Sequence, residues 1–144
     1  MQNYLKLDVW KKSHELALDV HRLTTGRADP ECADIVSDLR RSAASIPVII
    51  VLGCDGETDA EFVRGMRGAA MAVDEVAYLL LFARDAGVLP AVPYAKLEAR
   101  VHQLRAMLGG LMRTVRQKME GRRPERAVRV AGSSPRESRP RSTS

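Results

Sequence analysis

A heptad of apolar residues in the middle of the chain most constrains the fold. Its members recur in alternating steps of four and three: Phe62, Met66, Ala69, Val73, Val76, Leu80 and Ala83. Because an α-helix has about 3.6 residues per turn, this spacing places all of these side chains along one stripe of a single helix. Such a stripe must be covered by other apolar surface, so the sequence predicts helices packed against helices.

Three other segments carry stripes of the same kind, over about residues 8–25, 29–52 and 94–120. Their apolar positions are Val9, Leu16, Val20 and Leu23, then Cys32, Val36, Leu39, Ala43, Ile46 and Ile50, then Leu97, Val101, Leu104, Leu108, Leu111 and Val115. Only 4% of the residues are aromatic and no segment sustains the alternation of a strand. Short connections between the four segments predict an all-α, up-down-up-down four-helix bundle over residues 1–120.

Capping residues predict where these helices begin and end. Asp29 before Pro30 is expected to start the second helix, since Asp caps free amides and Pro is tolerated in the first turn. Thr58 with Glu61 three residues later predicts a capping box at the third helix. Gly87 predicts that this helix stops in a left-handed conformation.

Residues that disfavour helices also lie inside the helical segments. Pro47 predicts a kink or an end in the second helix, because its ring clashes with the carbonyl four residues earlier. The apolar run 48–52 after it is predicted to be a buried helix end, and residues 53–56 a turn. Gly109 and Gly110 cost the fourth helix about 1 kcal/mol each relative to Ala, which predicts a close helix approach or a bend there.

The net charge of +5 lies in the C-terminal segment. From residue 121 to 144 seven arginines stand against two glutamates, whereas residues 1–120 carry 16 basic and 16 acidic side chains. Gly121 is expected to stop the fourth helix. The Arg/Ser/Pro-rich segment after it has almost nothing to bury and is predicted to be a disordered basic tail. It could serve as an electrostatic arm or only as solubilising sequence.

Basic residues of the bundle are the candidate nucleic-acid-binding residues: Arg40, Arg41, Arg64, Arg67, Lys96, Arg100, Arg105, Arg113, Arg116 and Lys118. If they share one side of the bundle, they create a positive field that attracts phosphates and releases counterions. The alternative is a solvated face whose arginines pair within their own helices. The scarcity of aromatic residues predicts contact with the nucleic-acid backbone rather than stacking on bases.

No constellation in the sequence indicates catalysis, and we expect neither an enzyme nor a cofactor. His14 and His21 are seven residues apart, whereas metal pairs on a helix prefer three or four. The acidic residues within 55–61 lack the pattern of a calcium loop and are expected to stabilise the start of the third helix. Cys54 is a lone cysteine, more typical of an inert thiol than of a nucleophile.

The cysteine usage and the hydropathy pattern predict a cytoplasmic protein. Cys32 and Cys54 lack the CxxC spacing, and the first residues are polar and mixed in charge, unlike a secretory signal. No apolar run approaches the ~20 residues that span a bilayer. We therefore expect no membrane partner.

Several motifs together resemble the four-helix-bundle proteins encoded by intervening sequences in bacterial 23S ribosomal RNA genes. They are Leu7-Asp8-Val9-Trp10, Leu39 to Pro47, Phe62 after a polar turn, Glu75 with Leu80 to Leu89, and Met107 to Leu111. The resemblance covers about residues 5–117 and implies a homopentameric ring. A related branch serves as accessory proteins of reverse transcriptases in diversity-generating retroelements, which implies a polymerase and nucleic acid as partners.

One departure from that pattern lies after Pro47. Ile49 stands where the family usually has Asn, and Leu52 stands where it has Glu before Gly53. Any function of those two polar groups is therefore not expected in this chain.

From these observations we expect a non-enzymatic, oligomeric four-helix-bundle protein that binds the RNA or DNA backbone through a basic face. The alternative is an accessory subunit of a diversity-generating retroelement reverse transcriptase, acting as a pentameric scaffold. A third hypothesis is a structural module without a nucleic-acid role, in which the apolar segment 48–52 is an interface.

Overall fold

The computed structural model describes residues 3–27 and 29–132, with side chains through residue 122, and every regular element in these ranges is a helix. After a 3₁₀ helix at Tyr4–Lys6, the chain forms α1 (Asp8–Leu23), α2 (Ala33–Cys54), α3 (Asp59–Asp85) and α4 (Ala91–Gly132). Consecutive helices pack against each other, and α1 closes the bundle against α4. The predicted four-helix bundle is confirmed.

The core follows the predicted stripes. All members of the α3 heptad are buried, and Leu16, Ile46 and Leu104 are among the largest fully buried side chains of the other helices. In α4, Met112 is buried and the predicted Leu111 only partly so. Because each buried aliphatic side chain stabilises the fold by about 1.5–3 kcal/mol, these stripes hold the bundle together.

Helices α2 and α3 touch through their backbones at two glycines, Gly53 and Gly65. A Cβ atom added to Gly65 would lie 2.5 Å from the Cα atom of Gly53. No side chain fits between the two helices at this point, because even a methyl group would overlap backbone atoms. Gly53 therefore belongs to the helix contact, and its predicted place in a turn is wrong.

Helix α2 begins later than the sequence predicts. The carbonyl of Asp29 accepts hydrogen bonds from the amides of Cys32 and Ala33, at 2.8 and 2.9 Å, and the helix starts only at Ala33. Asp29 and Pro30 thus lie in a turn before the helix. The N-cap residue is Cys32, which makes no side-chain capping bond.

Pro47 lies inside α2, and the helix continues to Cys54 instead of ending. Ile46 and Ile50, on either side of the proline, are both fully buried in the core. Their burial keeps the helix packed on its neighbours and offsets the hydrogen bond that proline cannot make.

The segment 48–52 is helical as predicted, but it is not buried on every side. Ile50 faces the core, whereas Val48 is 57% exposed and Leu52 is 64% exposed. The two exposed residues are four apart, so they share the outer face of α2. The prediction of a fully buried helix end is therefore wrong.

The predicted cap of α3 is confirmed with one difference. Thr58 is the N-cap residue, and its Oγ1 accepts a hydrogen bond from the amide of Glu61 at 3.1 Å. The Glu61 carboxylate accepts from the amide of Glu57 at 2.7 Å, one residue before the cap. At the other end, Gly87 has φ +79°, as the predicted left-handed stop requires.

Helix α4 does not stop at Gly121, and the predicted helix end is wrong. The helix continues to Gly132 and so includes the first residues of the segment predicted as the tail. A single glycine costs a helix only about 1 kcal/mol. Beyond it, Arg122 Nη1 lies 3.1 Å from Asp59 Oδ2, which ties this part of α4 to the start of α3. Residues 133–144, the rest of the predicted tail, lie outside the described ranges.

Gly109 and Gly110 do not mark a close approach within the chain. A Cβ atom added to either would have no other heavy atom within 4 Å, leaving aside the helix's own nearby backbone. The predicted close approach is therefore not found among the described residues, and the alternative of a bend stays a prediction. The helix carries the cost of both glycines, about 1 kcal/mol each, without an internal contact that needs them.

Candidate nucleic-acid interface

An open groove between α3 and α4 collects four of the predicted basic residues. Arg67 comes from α3, and Arg105, Arg113 and Arg116 come from α4. The groove has a volume of about 540 Å³. Its remaining lining consists of Ala70, Met71, Asp74, Gly109, Met112, Gln117 and Glu120, which include no aromatic side chain.

The charges of this groove do not cancel. Arg105 Nε lies 3.1 Å from Asp74 Oδ1, so these two neutralise each other. Arg67, Arg113 and Arg116 make no ion pair within 4 Å among the described side chains. With Glu120 as the other acid in the lining, the groove carries a net charge of +2. Because exposed guanidinium groups donate several hydrogen bonds in a planar fork, they suit phosphate oxygens.

Arg100 has a structural role instead of the predicted place on a basic face. Its Nε lies 2.8 Å from Asp19 Oδ2, and its Nη1 lies 3.5 Å from Glu15 Oε2. The Asp19 side chain is only 14% exposed, and its Oδ1 lies 3.8 Å from Arg22 Nη1, one turn later on α1. The shorter ion pair, to Arg100, is therefore the main compensation for burying most of this carboxylate, and it fastens α4 to α1.

We expect Arg100→Ala to lower the free energy of unfolding by about 1–2 kcal/mol, because it leaves the largely buried Asp19 carboxylate with only the longer ion pair to Arg22. Arg100→Glu would place a third carboxylate beside Glu15 and Asp19 and cost more. Thermal or urea unfolding followed by circular dichroism measures the change. Arg116→Ala is the control and should stay within about 0.5 kcal/mol of the original protein. Equal effects at both positions would contradict the structural role of Arg100.

Arg40 and Arg41 are neighbours in sequence but point to different surroundings. Arg40 Nε donates to Thr24 Oγ1 at 2.8 Å, and its Nη2 donates to the carbonyl of His21 at 3.0 Å. It thereby satisfies a carbonyl at the C-terminus of α1, a common use of arginine at helix ends. Arg41 forms an ion pair with Asp38, one turn earlier on the same helix. Arg41 therefore agrees with the alternative interpretation, in which the arginines of a solvated face pair within their own helices.

The other three predicted basic residues lie apart from the groove between α3 and α4. Arg64 lines a separate depression between α2 and α3, beside Glu61 and Leu52. Lys96 and Lys118 are exposed on α4 but do not line the groove. The ten candidates thus do not form one face.

The side chains considered as metal ligands or as a nucleophile do not form a cluster among the described residues. Among the described residues, no three or more His, Cys, Asp or Glu side chains gather as metal ligands would. The His14 ring stacks on Trp10, with ring centres 5.2 Å apart. Cys54 is buried at the end of α2, and burial raises the pKa of its thiol, which disfavours the reactive thiolate. Within the described ranges, no helix is long and apolar enough to cross a membrane.

The sequence pattern missed three features of the groove: the Asp74 partner of Arg105, the Glu120 carboxylate at its end, and the open backbone at Gly109. Positions 105, 109, 113 and 116 are spaced by about one helical turn, which places them on one stripe of α4. This spacing could have indicated from the sequence that they line the same groove. No comparable spacing in the sequence indicates which residues of α3, such as Asp74, lie across the groove from them.

Comparison of the sequence with known protein families identifies the family that it matches. The sequence profile of the 23S rRNA-intervening sequence protein family matches residues 5–110. This chain belongs to that family. The match spans α1 to α3 and the first part of α4 in this family member, and it ends before Arg113 and Arg116.

A solved structure shares the fold of this chain. It is the crystal structure of a protein of unknown function from the S23 ribosomal protein family of Bacteroides thetaiotaomicron. The two structures superpose with a TM-score of 0.67 at 18% sequence identity, over 73% of this chain and 95% of the other. At that identity the likeness establishes the fold alone. No curated protein sequence matches the chain.

Proposed function

We propose that this protein is a non-enzymatic, oligomeric four-helix bundle that binds the phosphate backbone of RNA or DNA. The observation that carries the proposal is the convergence of Arg67, Arg113 and Arg116 on one groove between α3 and α4. A cytoplasmic location, expected from the sequence, would bring the protein together with RNA.

Backbone contact follows from what the groove contains. Its arginines can donate to phosphate oxygens, which carry no sequence information. Its lining has no aromatic side chain on which bases could stack. Binding is therefore expected to depend on charge and to vary little with base sequence.

A salt titration of the purified protein with labelled RNA tests the proposal. If three arginines per groove contact phosphates, the slope of log K against log salt should be about −2 to −3 per groove. Filter retention or fluorescence anisotropy between about 50 and 200 mM salt would give this slope. Negligible binding at the lowest salt, or affinity that does not change with salt, would reject the proposal.

Exposed apolar side chains on the outer faces of α2 and α3 support self-association, with the pentamer as the expected assembly. Val48 and Leu52 lie one turn apart on α2, and Tyr78 and Phe82 lie one turn apart on α3. Each of these four residues is between 46% and 64% exposed in the single chain. Exposed apolar side chains that are neighbours on a helix face are typical of protein–protein contacts.

We expect Val48→Glu with Leu52→Lys to reduce the assembly to the 15.9 kDa monomer. The two charges would be buried in the interface, whereas in the monomer they are exposed and pair favourably four residues apart on α2. Native mass spectrometry measures the subunit number, and the ultraviolet absorbance ratio reports bound nucleic acid. Val92→Lys, at an exposed apolar residue near the start of α4, should leave the mass unchanged. A double variant with the original mass would place the interface elsewhere.

The role of reverse-transcriptase accessory subunit stays a prediction from the resemblance. Co-purification of the protein with such a polymerase, encoded near it, would favour that role over an independent nucleic-acid-binding protein.

A further inference from the structure

The open backbone of Gly109 lies in the middle of the basic groove. Arg105 precedes it by four residues, and Arg113 and Arg116 follow it by four and seven. All four positions line the groove, so they share the side of α4 that faces α3. At about 1.5 Å per residue, the arginines from 105 to 116 extend along roughly 16 Å of the helix.

The space above Gly109 is empty because nothing in the described chain reaches it. A Cβ atom there would have no other heavy atom within 4 Å, apart from the helix's own nearby backbone. Any longer side chain at this position would stand between the guanidinium groups and fill the floor of the groove. Glycine instead leaves room for a ligand to reach the depth of the α4 backbone.

We propose that one strand of a nucleic-acid duplex lies in this groove with its phosphodiester chain passing over Gly109. This inference rests on the proposed function and adds the path and the class of the ligand. Arg113 and Arg116 hold phosphates on one side of the glycine, and Arg67 holds the strand from α3. Roughly 16 Å of helix corresponds to the axial rise of about five nucleotides of one strand, which is room for several contacts.

A duplex suits the groove better than a single strand for two reasons. Proteins that bind single strands without sequence preference combine basic grooves with aromatic stacking platforms, and this lining has none. A duplex also presents its phosphates in a fixed array, so it loses less conformational freedom on binding than a flexible strand does.

Filling the floor of the groove tests the path. Gly109→Leu is expected to weaken binding of a 20-base-pair RNA duplex at least tenfold, measured by fluorescence anisotropy at about 50 mM salt. Gly110→Leu makes the same change one residue later, outside the lining, and is expected to change affinity less than twofold. Both substitutions replace glycine by a better helix former, so the melting temperature should not fall. Gly109→Met provides a more flexible second variant and is expected to weaken binding likewise.

The outcomes separate this inference from the function on which it rests. If both position-109 variants bind the duplex as the original protein does, the path over Gly109 is rejected. The groove is nevertheless kept as the binding surface if the double variant Arg113→Glu with Arg116→Glu loses affinity for the duplex. Unchanged binding in all of these variants would reject the groove itself. Tighter binding of a single strand of the same sequence than of the duplex would overturn the assignment of a duplex.

Discussion

Arg113→Glu combined with Arg116→Glu is expected to lower the affinity for RNA on the order of a thousandfold at low salt. Each arginine would lose a charge-assisted bond to phosphate worth about 1.5–3 kcal/mol, and each new carboxylate would repel the backbone. The slope of log K against log salt should become shallower by about two. The fold should persist, because both side chains are exposed and Arg113 and Arg116 have no ion-pair partner among the described residues.

The control for this experiment changes the same number of charges outside the groove. Arg41→Glu with Lys96→Glu alters two basic residues that the sequence alone also nominated. Their effect should be less than about tenfold, because it acts only through the long-range field and is screened by salt. Equal losses in the two double variants would show that overall charge drives binding. Unchanged affinity for RNA in the variant Arg113→Glu with Arg116→Glu would rule out the groove as the contact surface.

Gly65→Ala is expected to destabilise the fold by about 2–3 kcal/mol. The added methyl group would lie 2.5 Å from the Cα atom of Gly53, and this neighbour is backbone, which cannot rotate away. Helices α2 and α3 would have to separate and loosen the core on both sides. Alanine's better helix propensity offsets at most about 1 kcal/mol. Chemical denaturation measures the loss, with an expected drop in melting temperature of roughly 5–10 °C.

Gly68→Ala gives the matched comparison on the same helix. Its Cβ atom would lie 3.5 Å from the side chain of Ile49, an ordinary van der Waals contact. We expect no loss of stability, and a gain of up to about 1 kcal/mol from helix propensity. If Gly65→Ala and Gly68→Ala behaved alike, the backbone contact between α2 and α3 could not be what requires glycine at position 65.

Much of the fold could be predicted because its determinants are local. The α3 heptad is buried in full, and Thr58 and Gly87 delimit the helix as their chemistry requires. The predicted helix ends were wrong where they depended on a single helix-disfavouring residue, because the cost of one such residue does not outweigh packing. Pro47 and Gly121 each disfavour a helix by a few kcal/mol at most, and both lie within continuous helices.

The candidate site could be predicted only in part. The stripe of Arg105, Arg113 and Arg116 follows from helical spacing, and it lies on one side of α4 in the structure. The sequence placed Arg40 and Arg100 in the same group, although Arg40 binds the end of α1 and Arg100 pairs with the largely buried carboxylate of Asp19. Helical spacing could not separate these roles, because it contains no information about the partner.

The sequence by itself determined that four amphipathic helices form and which side of each faces the core, because periodicity relates residues within one turn of each other. Only the tertiary structure decided that Arg67 lies across a groove from Arg113, and that Gly65 touches Gly53. These contacts depend on how far one helix slides along its neighbour. That offset is set by the packing of the whole core, so no single stretch of the chain encodes it.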